Sequence, residues 1–378
     1  MDKTTIGIIG CGVISDAYLK GAARSDIITV KAVADLNAEA AAARAETYGV
    51  LAMNVEQLLA DPDIEIVLNI TVPLAHAEVS QAIIAAGKHV YSEKPLAATF
   101  EDGLAIMEQA DAAGLRVGCA PDTFLGAGHQ ACRQAVDAGR VGKVVGAAAC
   151  FMNHGMEHWH PNPTFYYTPG GGPILDMAPY YLTTLVNLIG PVARVASITS
   201  TTFPKRTVIS EGPMTGKDIT VEVATTMHGV LAFANGATAT ISTSWDVWAH
   251  DRQPIEIYGE TGSMIVPDPN FFGGDPKVAI ERGDWERLGI DAFAFGMPNR
   301  KDGKGRDVAD HRIIGLLDMA AAIQTGRPHR ASGALALHVL EVMDALGRSS
   351  DKGRHLDIES RPERPAPLPE GVDEQVFL

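Results

Sequence analysis

The stretch that decides the fold is Thr4-Thr5-Ile6-Gly7-Ile8-Ile9-Gly10-Cys11-Gly12-Val13-Ile14-Ser15, in which an apolar strand runs directly into a glycine turn. Because Gly10 and Gly12 have no Cβ, the backbone there can turn sharply and come close to a ligand. The helix that we expect to begin near Ser15 points its free amide groups at the same turn, where they attract a pyrophosphate. This arrangement predicts a dinucleotide-binding site.

A second apolar run, Val30-Lys31-Ala32-Val33-Ala34, leads to Asp35. Asp35 lies about 20 residues beyond the glycine turn, where a carboxylate accepts hydrogen bonds from the adenosine ribose. The same carboxylate repels a 2′-phosphate, and the next residue is Leu36 rather than an arginine. We therefore predict NAD as the cofactor in preference to NADP.

Up to residue 121, short β-rich runs alternate with alanine-rich helical segments, a pattern typical of a parallel, doubly wound sheet. We assign residues 1–121 to an NAD(P)-binding Rossmann domain. Ligands bind at the carboxyl ends of such strands, so the glycine turn, Asp35, residues 71–76 and residues 93–95 should line one crevice. The predicted strands lie near Ile6 and Val30 and at 66–68, 89–91 and 116–118, and the predicted helices at 38–48, 76–86 and 99–113.

Residues 122–378 have an α+β pattern, which predicts a second domain with a large, mainly antiparallel open sheet. Its best hairpin signal is Ala234-Asn235-Gly236 between two apolar runs. Residues 267–305, rich in glycine, proline and charge, predict a long excursion, and the proline-rich tail from 362 predicts an extended chain. The predicted helices are 128–138, one after Asp176, 307–324 and 334–346, and the predicted strands are 144–152, 220–227, 230–233, 237–244, 255–258 and 263–266.

Composition excludes several classes of partner. The net charge of −15 argues against nucleic acid and against an anionic membrane surface, because both require clustered Lys and Arg. The four cysteines have no Cys-x-x-Cys spacing, which predicts free thiols in a reducing compartment. We expect no signal peptide, because the first predicted strand begins within a few residues of Met1, and no apolar run approaches the ~20 residues that span a membrane. We therefore expect a cytoplasmic protein.

Glu93-Lys94-Pro95 follows a predicted strand, which places the Lys94 ammonium at the mouth of the crevice. A lysine there can relay the proton of a substrate hydroxyl while the carbon loses hydride. Desolvation beside a cationic nicotinamide would bring the pKa of Lys94 toward neutrality. The alternative is a surface lysine paired with Glu93.

The second reactive cluster follows Gly170-Gly171-Gly172-Pro173. The flexible turn delivers Asp176, and Tyr180 lies four residues later, one helical turn on, so that both side chains can face one pocket. The alternative is that Asp176 is only an N-cap and Tyr180 only a packed aromatic residue.

These motifs, together with Thr71-Val72-Pro73 and His76, occur in the order typical of the glucose-fructose oxidoreductase/inositol dehydrogenase (Gfo/Idh/MocA) family, which the chain resembles over nearly its whole length. The resemblance implies a Rossmann domain, a C-terminal domain whose open sheet often forms subunit contacts, and a homodimer or homotetramer. It also implies hydride transfer at a sugar or polyol carbon. Carried over by position, the pyrophosphate contacts are Gly10, Gly12, Val13 and Ile14, the ribose contact is Asp35, the contacts at the centre of the cofactor are Thr71, Pro73 and His76, and those at the nicotinamide are Glu93, Lys94 and Pro95.

The family's catalytic Lys, Asp and His set is matched at Lys94 and Asp176, but the usual histidine is Tyr180 here. A tyrosine, with a reference pKa of ~10 against ~6.5 for histidine, is a poor base unless Lys94 stabilises its phenolate. Alternatively, Lys94 alone relays the proton while Tyr180 orients the substrate, or another histidine substitutes.

Further candidates for substrate binding are His158 and His160 in a loop, and Asp122 at the end of the Rossmann half. His154 and His158 have the spacing of a helical metal pair, but Gly155, Pro161 and Pro163 disfavour a helix, so we predict no metal site. An apolar face for a pyranose could come from five aromatic residues, although most aromatics are core. They are Trp159, Tyr166, Tyr167, Trp245 and Trp248.

The sequence thus predicts an NAD(P)-dependent dehydrogenase or reductase acting on CH–OH groups of a sugar, sugar lactone or polyol, with Lys94, Asp176 and Tyr180 as the catalytic set. One alternative is a sugar lyase or hydrolase that uses bound NAD for transient oxidation. The other is a non-enzymatic NAD-dependent sensor, because a fold does not fix a function.

Overall fold

A parallel sheet of six strands, in the order β3-β2-β1-β4-β5-β6, forms the first part of the computed structural model, which describes residues 2–371 and 373–378. The order reverses between β1 and β4, which opens a crevice at the carboxyl ends of these two strands. The elements are β1 (Thr4–Ile9), α1 (Ser15–Ala22), β2 (Ile28–Ala34), α2 (Ala38–Tyr48), β3 (Leu51–Met53), α3 (Val55–Ala60), β4 (Ile66–Asn69), α4 (His76–Ala85), β5 (His89–Ser92), α5 (Phe100–Ala113) and β6 (Val117–Cys119).

Local sequence signals account for the ends of these helices. Asn37 caps α2 by accepting hydrogen bonds from the amides of Glu39 and Ala40, and Thr99 caps α5 in the same manner. Both helices end at a glycine in the left-handed conformation, Gly49 and Gly114. The core strands are almost wholly buried, as expected for a parallel sheet covered by helices on both faces.

The second part of the chain forms a nine-stranded sheet in the order β16-β15-β14-β13-β7-β12-β11-β8-β19, in which only the β12–β7 pair is parallel. The elements are α6 (Ala127–Asp137), β7 (Val144–Met152), α7 (Gly172–Ile189), β8 (Val192–Ser200), β9 (Lys205–Thr207), β10 (Asp218–Thr220), β11 (Thr226–Phe233), β12 (Thr238–Ser244), β13 (Ile255–Gly259), β14 (Gly262–Val266), β15 (Lys277–Ile280), β16 (Glu286–Arg287), β17 (Arg300–Lys301), β18 (Asp307–Val308), α8 (Ile314–Thr325), α9 (Gly333–Lys352) and β19 (Leu356–Asp357).

The chain returns to the first sheet after β18. Ser332 forms a β-bridge with Gly118 in β6, and the Gln324 side chain donates to Thr4 Oγ1 at 2.8 Å. Near the end of the chain, the Glu374 carboxylate accepts a 2.8 Å hydrogen bond from Ser25 Oγ. Residues of α8, α9 and the tail therefore cover the first sheet, and the predicted domain boundary at residue 121 stays a prediction.

Most predicted elements are confirmed, with four differences. The predicted strand 220–227 is broken, because the amide of Glu222 donates to the carbonyl of Tyr167 rather than to a sheet neighbour. The predicted helix 307–324 begins only at Ile314, since β18 pairs with β17. The predicted excursion at residues 267–305 contributes β15 to the large sheet. Helix α7 begins at Gly172, before Asp176 rather than after it.

A buried ionic cluster organises the loops beside α7. Arg206 donates to Glu157 Oε1 at 2.8 Å and to a carboxylate oxygen of Asp246, and all three side chains are less than a tenth exposed. Tyr167, which is fully buried, donates its hydroxyl to Glu157. One cation thus holds two carboxylates inside the protein.

No helix in residues 2–371 and 373–378 is long and apolar enough to cross a membrane.

Replacing Arg206 with Met should destabilise the protein by about 3–5 kcal/mol, because it leaves two buried carboxylates without their cation. Urea unfolding followed by circular dichroism measures this loss. The matched control is Arg194→Met, which removes an exposed ion pair with Asp357 and should cost less than about 1 kcal/mol. Equal losses of unfolding free energy in the two variants would contradict a stabilising role for the buried Arg206 cluster.

Candidate functional site

The glycine turn after β1 has the shape that a pyrophosphate requires. Gly10 has φ +110°, and a Cβ there would lie 2.5 Å from the carbonyl oxygen of Ile70, so no side chain fits. A Cβ at Gly12 would meet only open space, and the Gly12 carbonyl accepts a 2.6 Å hydrogen bond from Ser15 Oγ at the start of α1. The turn therefore leaves the amide end of α1 open to a ligand.

Asp35 is fixed at the end of β2 by two backbone amides. Its Oδ2 accepts from the amide of Cys11 at 2.7 Å, and its Oδ1 accepts from the amide of Asn37 at 2.8 Å. These bonds join the carboxylate to the glycine turn, in the position expected for a ribose contact.

Exposed apolar side chains line the same edge of the sheet. Val13 and Leu36 follow β1 and β2 and are 90% and 100% exposed, and Val72 and Leu74 follow β4 and are about two-thirds exposed. Ile14, next to Val13, is partly buried against the core. Exposed apolar groups in one place mark a ligand site, and together with the glycine turn and Asp35 they fit a dinucleotide.

His76 braces two loops of the crevice. Its ring is buried, with Nδ1 2.7 Å from the carbonyl oxygen of Pro95 and Nε2 3.1 Å from that of Thr71. Burial lowers the pKa of His76. The predicted contact between His76 and the cofactor stays a prediction, since in this structure both ring nitrogens face backbone carbonyl oxygens. Thr71 and Pro73 remain at the partly exposed edge.

Glu93 is held within the protein rather than paired with the Lys94 ammonium. Its Oε1 accepts from the Tyr18 hydroxyl at 2.7 Å, and its Oε2 accepts from the backbone amide of Lys94 at 3.0 Å. The alternative of a surface Lys94–Glu93 pair is therefore wrong, and Glu93 instead fixes the backbone at Lys94.

Lys94 reaches across to α7 and binds Asp176. Its Nζ donates to Asp176 Oδ1 at 2.9 Å and to the Asp176 carbonyl oxygen at 2.7 Å. The two side chains keep 15% and 21% of their surface exposed. Since α7 begins at Gly172, Asp176 lies inside the helix, and the N-cap alternative is also wrong.

The protein groups around Lys94 act on its pKa in the direction opposite to the one expected beside a bound nicotinamide. Burial lowers it, but the Asp176 carboxylate, Tyr180 and Glu93 more than offset burial and raise the pKa above its usual value. The groups of the protein itself thus favour the ammonium form of Lys94.

Tyr180 lies beside this pair but does not receive a hydrogen bond from it. Lys94 Nζ is 5.2 Å from the centroid of the Tyr180 ring, and the cation that bonds the Tyr180 oxygen is Arg312, whose Nη1 donates at 2.9 Å. Stabilisation of a Tyr180 phenolate by the nearby charge of Lys94 stays a prediction.

Sequence reasoning missed Arg312, since no local pattern links it to residue 180.

The Asp122 carboxylate is buried and bonds to backbone amides of the protein. Its Oδ2 accepts from the amides of Ile313 and Gly315 at 3.2 and 2.9 Å, so it caps α8. Burial raises the pKa of Asp122 to about 6, against the lowering effect of these bonds and of Arg312. The predicted contact of Asp122 with substrate is not supported, because the side chain is 1% exposed.

The loop histidines differ in position. His158 is exposed, whereas His160 packs edge-on against Tyr166 at 5.4 Å between ring centroids. Burial raises the pKa of Tyr166 and the Asp176 carboxylate raises it further, which places Tyr166 in the electrostatic field of the site. His160 thus backs a ring that borders Asp176.

Of the other predicted aromatics, Trp245 and Tyr167 are fully buried and cannot form a sugar platform, whereas Trp159 and Trp248 are more than half exposed. Among the side chains that the structure describes, no cluster of three His, Cys, Asp or Glu is placed to hold a metal ion.

Comparisons with known proteins agree with this geometry. Residues 4–120 match the model of the oxidoreductase family with an NAD-binding Rossmann fold, and residues 129–265 match the GFO/IDH/MocA C-terminal domain. A 1,5-anhydro-D-fructose reductase from Ensifer adhaerens is 30% identical over 68% of this chain and 74% of its own length. An inositol 2-dehydrogenase from Pseudomonas syringae pv. syringae is 34% identical over 79% of this chain and 85% of its own.

A solved structure of levoglucosan dehydrogenase in complex with NADH and L-sorbose superposes with a TM-score of 0.79 at 23% identity, covering 95% of this chain and 99% of that one, and so shares the fold. The crevice, the glycine turn and the matched relatives lead to one conclusion: this chain belongs to the GFO/IDH/MocA family of NAD-binding Rossmann-fold oxidoreductases.

Proposed function

We propose that the protein is an NAD(H)-dependent oxidoreductase of a sugar, sugar lactone or polyol, in which Lys94 relays the proton of the reacting hydroxyl. The observation that carries the proposal is the partly exposed Lys94–Asp176 ion pair at the carboxyl end of β5. Relatives named as reductases and dehydrogenases of anhydrofructose and inositol support this substrate class.

NAD is the proposed cofactor. Gly10, Gly12 and the amide end of α1 would hold its pyrophosphate, and Asp35 its adenosine ribose. When bound, the nicotinamide ring accepts or supplies the hydride. The Asp35 carboxylate opposes a 2′-phosphate by charge repulsion, which supports NAD over NADP.

We propose that Lys94 begins as an ammonium in both directions of the reaction. In reduction, the ammonium donates a proton to the substrate oxygen as the carbonyl carbon becomes C–H. In oxidation, Nζ takes the hydroxyl proton while it passes one of its own to the Asp176 carboxylate 2.9 Å away. Asp176 thus orients the ammonium and holds the displaced proton.

Tyr180 is proposed to take the position that a histidine occupies in most of the family. Its Oη accepts a hydrogen bond from Arg312, so its own O–H remains available to the substrate oxygen. Tyr180 then holds and polarises the reacting group while Lys94 moves the proton.

The protein is further proposed to act as a cytoplasmic homodimer or homotetramer. Four apolar side chains on the outer face of the nine-stranded sheet, Val145, Ile198, Val230 and Tyr258, are more than a third exposed. The four cysteines are free and buried, which supports a reducing compartment.

Val230→Glu, in β11, should dissociate the assembly, because it places a charge in the middle of this face. Sedimentation velocity would show the change, with Ile209→Glu, at an exposed apolar residue outside the nine-stranded sheet, as the control. A wild-type monomer at micromolar concentration would contradict the proposal.

The first test of the proposed reaction follows nicotinamide absorbance over a panel of sugars, sugar lactones and inositols, with NAD and NADP in parallel. We expect net reduction of NAD by at least one compound. Turnover without any net NADH, in protein that binds the nucleotide, would instead favour transient oxidation.

Lys94→Met should lower kcat by a factor of roughly 10² to 10⁴, the usual worth of a general acid–base group. Nucleotide affinity, measured by fluorescence titration, should stay unchanged. Lys31→Met, which removes a lysine paired with Asp61 and Asp63, is the matched control with unchanged kcat. Normal turnover by Lys94→Met would falsify the relay.

Asp176→Asn should shift the pH dependence of the reduction rate. Asp176 raises the pKa of Lys94, so its loss lowers that pKa, and Lys94 loses its proton at a lower pH. The alkaline decline of kcat/KM should therefore move to lower pH than in the wild type. An unchanged pH profile would show that the Lys94 ammonium is not the proton donor.

A further inference from the structure

Arg312 is a buried cation whose three guanidinium nitrogens are all engaged. Nη1 donates to Tyr180 Oη at 2.9 Å, Nη2 donates to Asn270 Oδ1 at 2.9 Å, and Nε lies 3.3 Å from Asp310 Oδ1. The side chain is 10% exposed. A planar guanidinium held by two hydrogen bonds and a nearby carboxylate has little freedom to turn.

The backbone next to Arg312 is held in a conformation that it would not adopt alone. Ile313 has φ +122°, a region that β-branched residues rarely enter, and it is buried. Such a conformation is unfavourable and persists only where the surroundings hold it. Here Asp122 accepts hydrogen bonds from the amides of Ile313 and Gly315. This cap of α8 fixes the backbone beside Arg312 and so the direction in which the Arg312 side chain extends.

The bond to Arg312 restricts what Tyr180 can do. Since Oη accepts from Nη1, the Tyr180 proton must point elsewhere. Lys94 Nζ and Arg312 Cζ lie 5.2 and 5.6 Å from the centroid of the Tyr180 ring. Within the described residues, Oη has no second hydrogen bond, so its proton is free for a ligand.

We propose that Arg312 is a positioning residue that makes Tyr180 a fixed, strengthened hydrogen-bond donor to the reacting oxygen of the substrate. A phenol that accepts a bond from a cation donates its own hydrogen more strongly, because hydrogen bonds in a chain polarise one another. The inference rests on the proposed function, since it assigns Tyr180 to the substrate oxygen. It makes Arg312 and Tyr180 a functional pair, and Arg312 acts only through Tyr180.

The first test is kinetic. Arg312→Met should lower kcat about 10- to 100-fold, the size expected for the loss of a hydrogen bond to a charged group, with a much smaller change in KM. Tyr180→Phe should lower kcat by a similar factor. Adding Arg312→Met to Tyr180→Phe should then cause no further loss, because Arg312 acts through the phenol.

The second test uses the protein without nucleotide. The Raman doublet of tyrosine reports whether the phenolic oxygen accepts or donates hydrogen bonds, and the difference between each protein and its Tyr180→Phe counterpart isolates Tyr180. We expect an acceptor signature in the wild type and its loss in Arg312→Met. This measurement tests the hydrogen bond itself, whereas the change in kcat without a matching change in KM and the double variant test its role in the reaction.

Chemical rescue keeps the test valid if one variant folds poorly. Guanidinium ion added to Arg312→Ala should restore part of kcat, and Arg312→Lys should retain part of it. The matched control is Arg300→Met, because Arg300 Nε binds the same Asp310 at 2.6 Å without contacting Tyr180. That control should keep both kcat and the Raman signature.

Two results would overturn the inference: wild-type kcat in Arg312→Met, or additive losses in the double variant. If Lys94→Met were also fully active, the proposed function would fail. A Lys94→Met enzyme that is inactive beside a fully active Arg312→Met enzyme would remove only the role of Arg312.

Discussion

The ion pair between Lys94 and Asp176 joins the two halves of the site, and the rest of the site depends on it. Lys94 follows β5 of the parallel sheet, whereas Asp176 lies in α7, which packs on the nine-stranded sheet. Without its partner, either side chain would be an ordinary partly exposed charged residue. Together they place an ammonium at the end of the crevice and keep it charged.

Around this pair, several polar groups act on the backbone rather than on a ligand. Glu93 fixes the amide of Lys94, His76 braces the loops at Thr71 and Pro95, and Asp122 caps α8 beside Arg312. Buried groups of this kind keep reactive side chains within the small tolerance that chemistry requires. The proposed contacts with the reacting atoms are Lys94, Asp176 and Tyr180.

Site residues that lie close together in the sequence could be predicted, whereas pairs that are far apart in the sequence could not. The glycine turn and Asp35 were predictable because their spacing reflects one strand–turn–helix unit. Arg312 was not, because its partner Tyr180 is 132 residues away and the loop before α8 has no recognisable pattern. The contact between Lys94 Nζ and the Asp176 carboxylate was also not predictable, because the two residues are 82 positions apart and meet only through the packing of α7 against the end of β5.

The return of the chain to its first sheet has a consequence for biosynthesis. Thr4 and Ser25 near the beginning bond to Gln324 and Glu374 near the end, and β6 meets the segment before α9. A nascent chain that has left the ribosome only as far as β6 therefore lacks the helices that cover part of its sheet. The edge of the first sheet at β6 therefore gains its cover only when the residues of α8 and α9 have been synthesised.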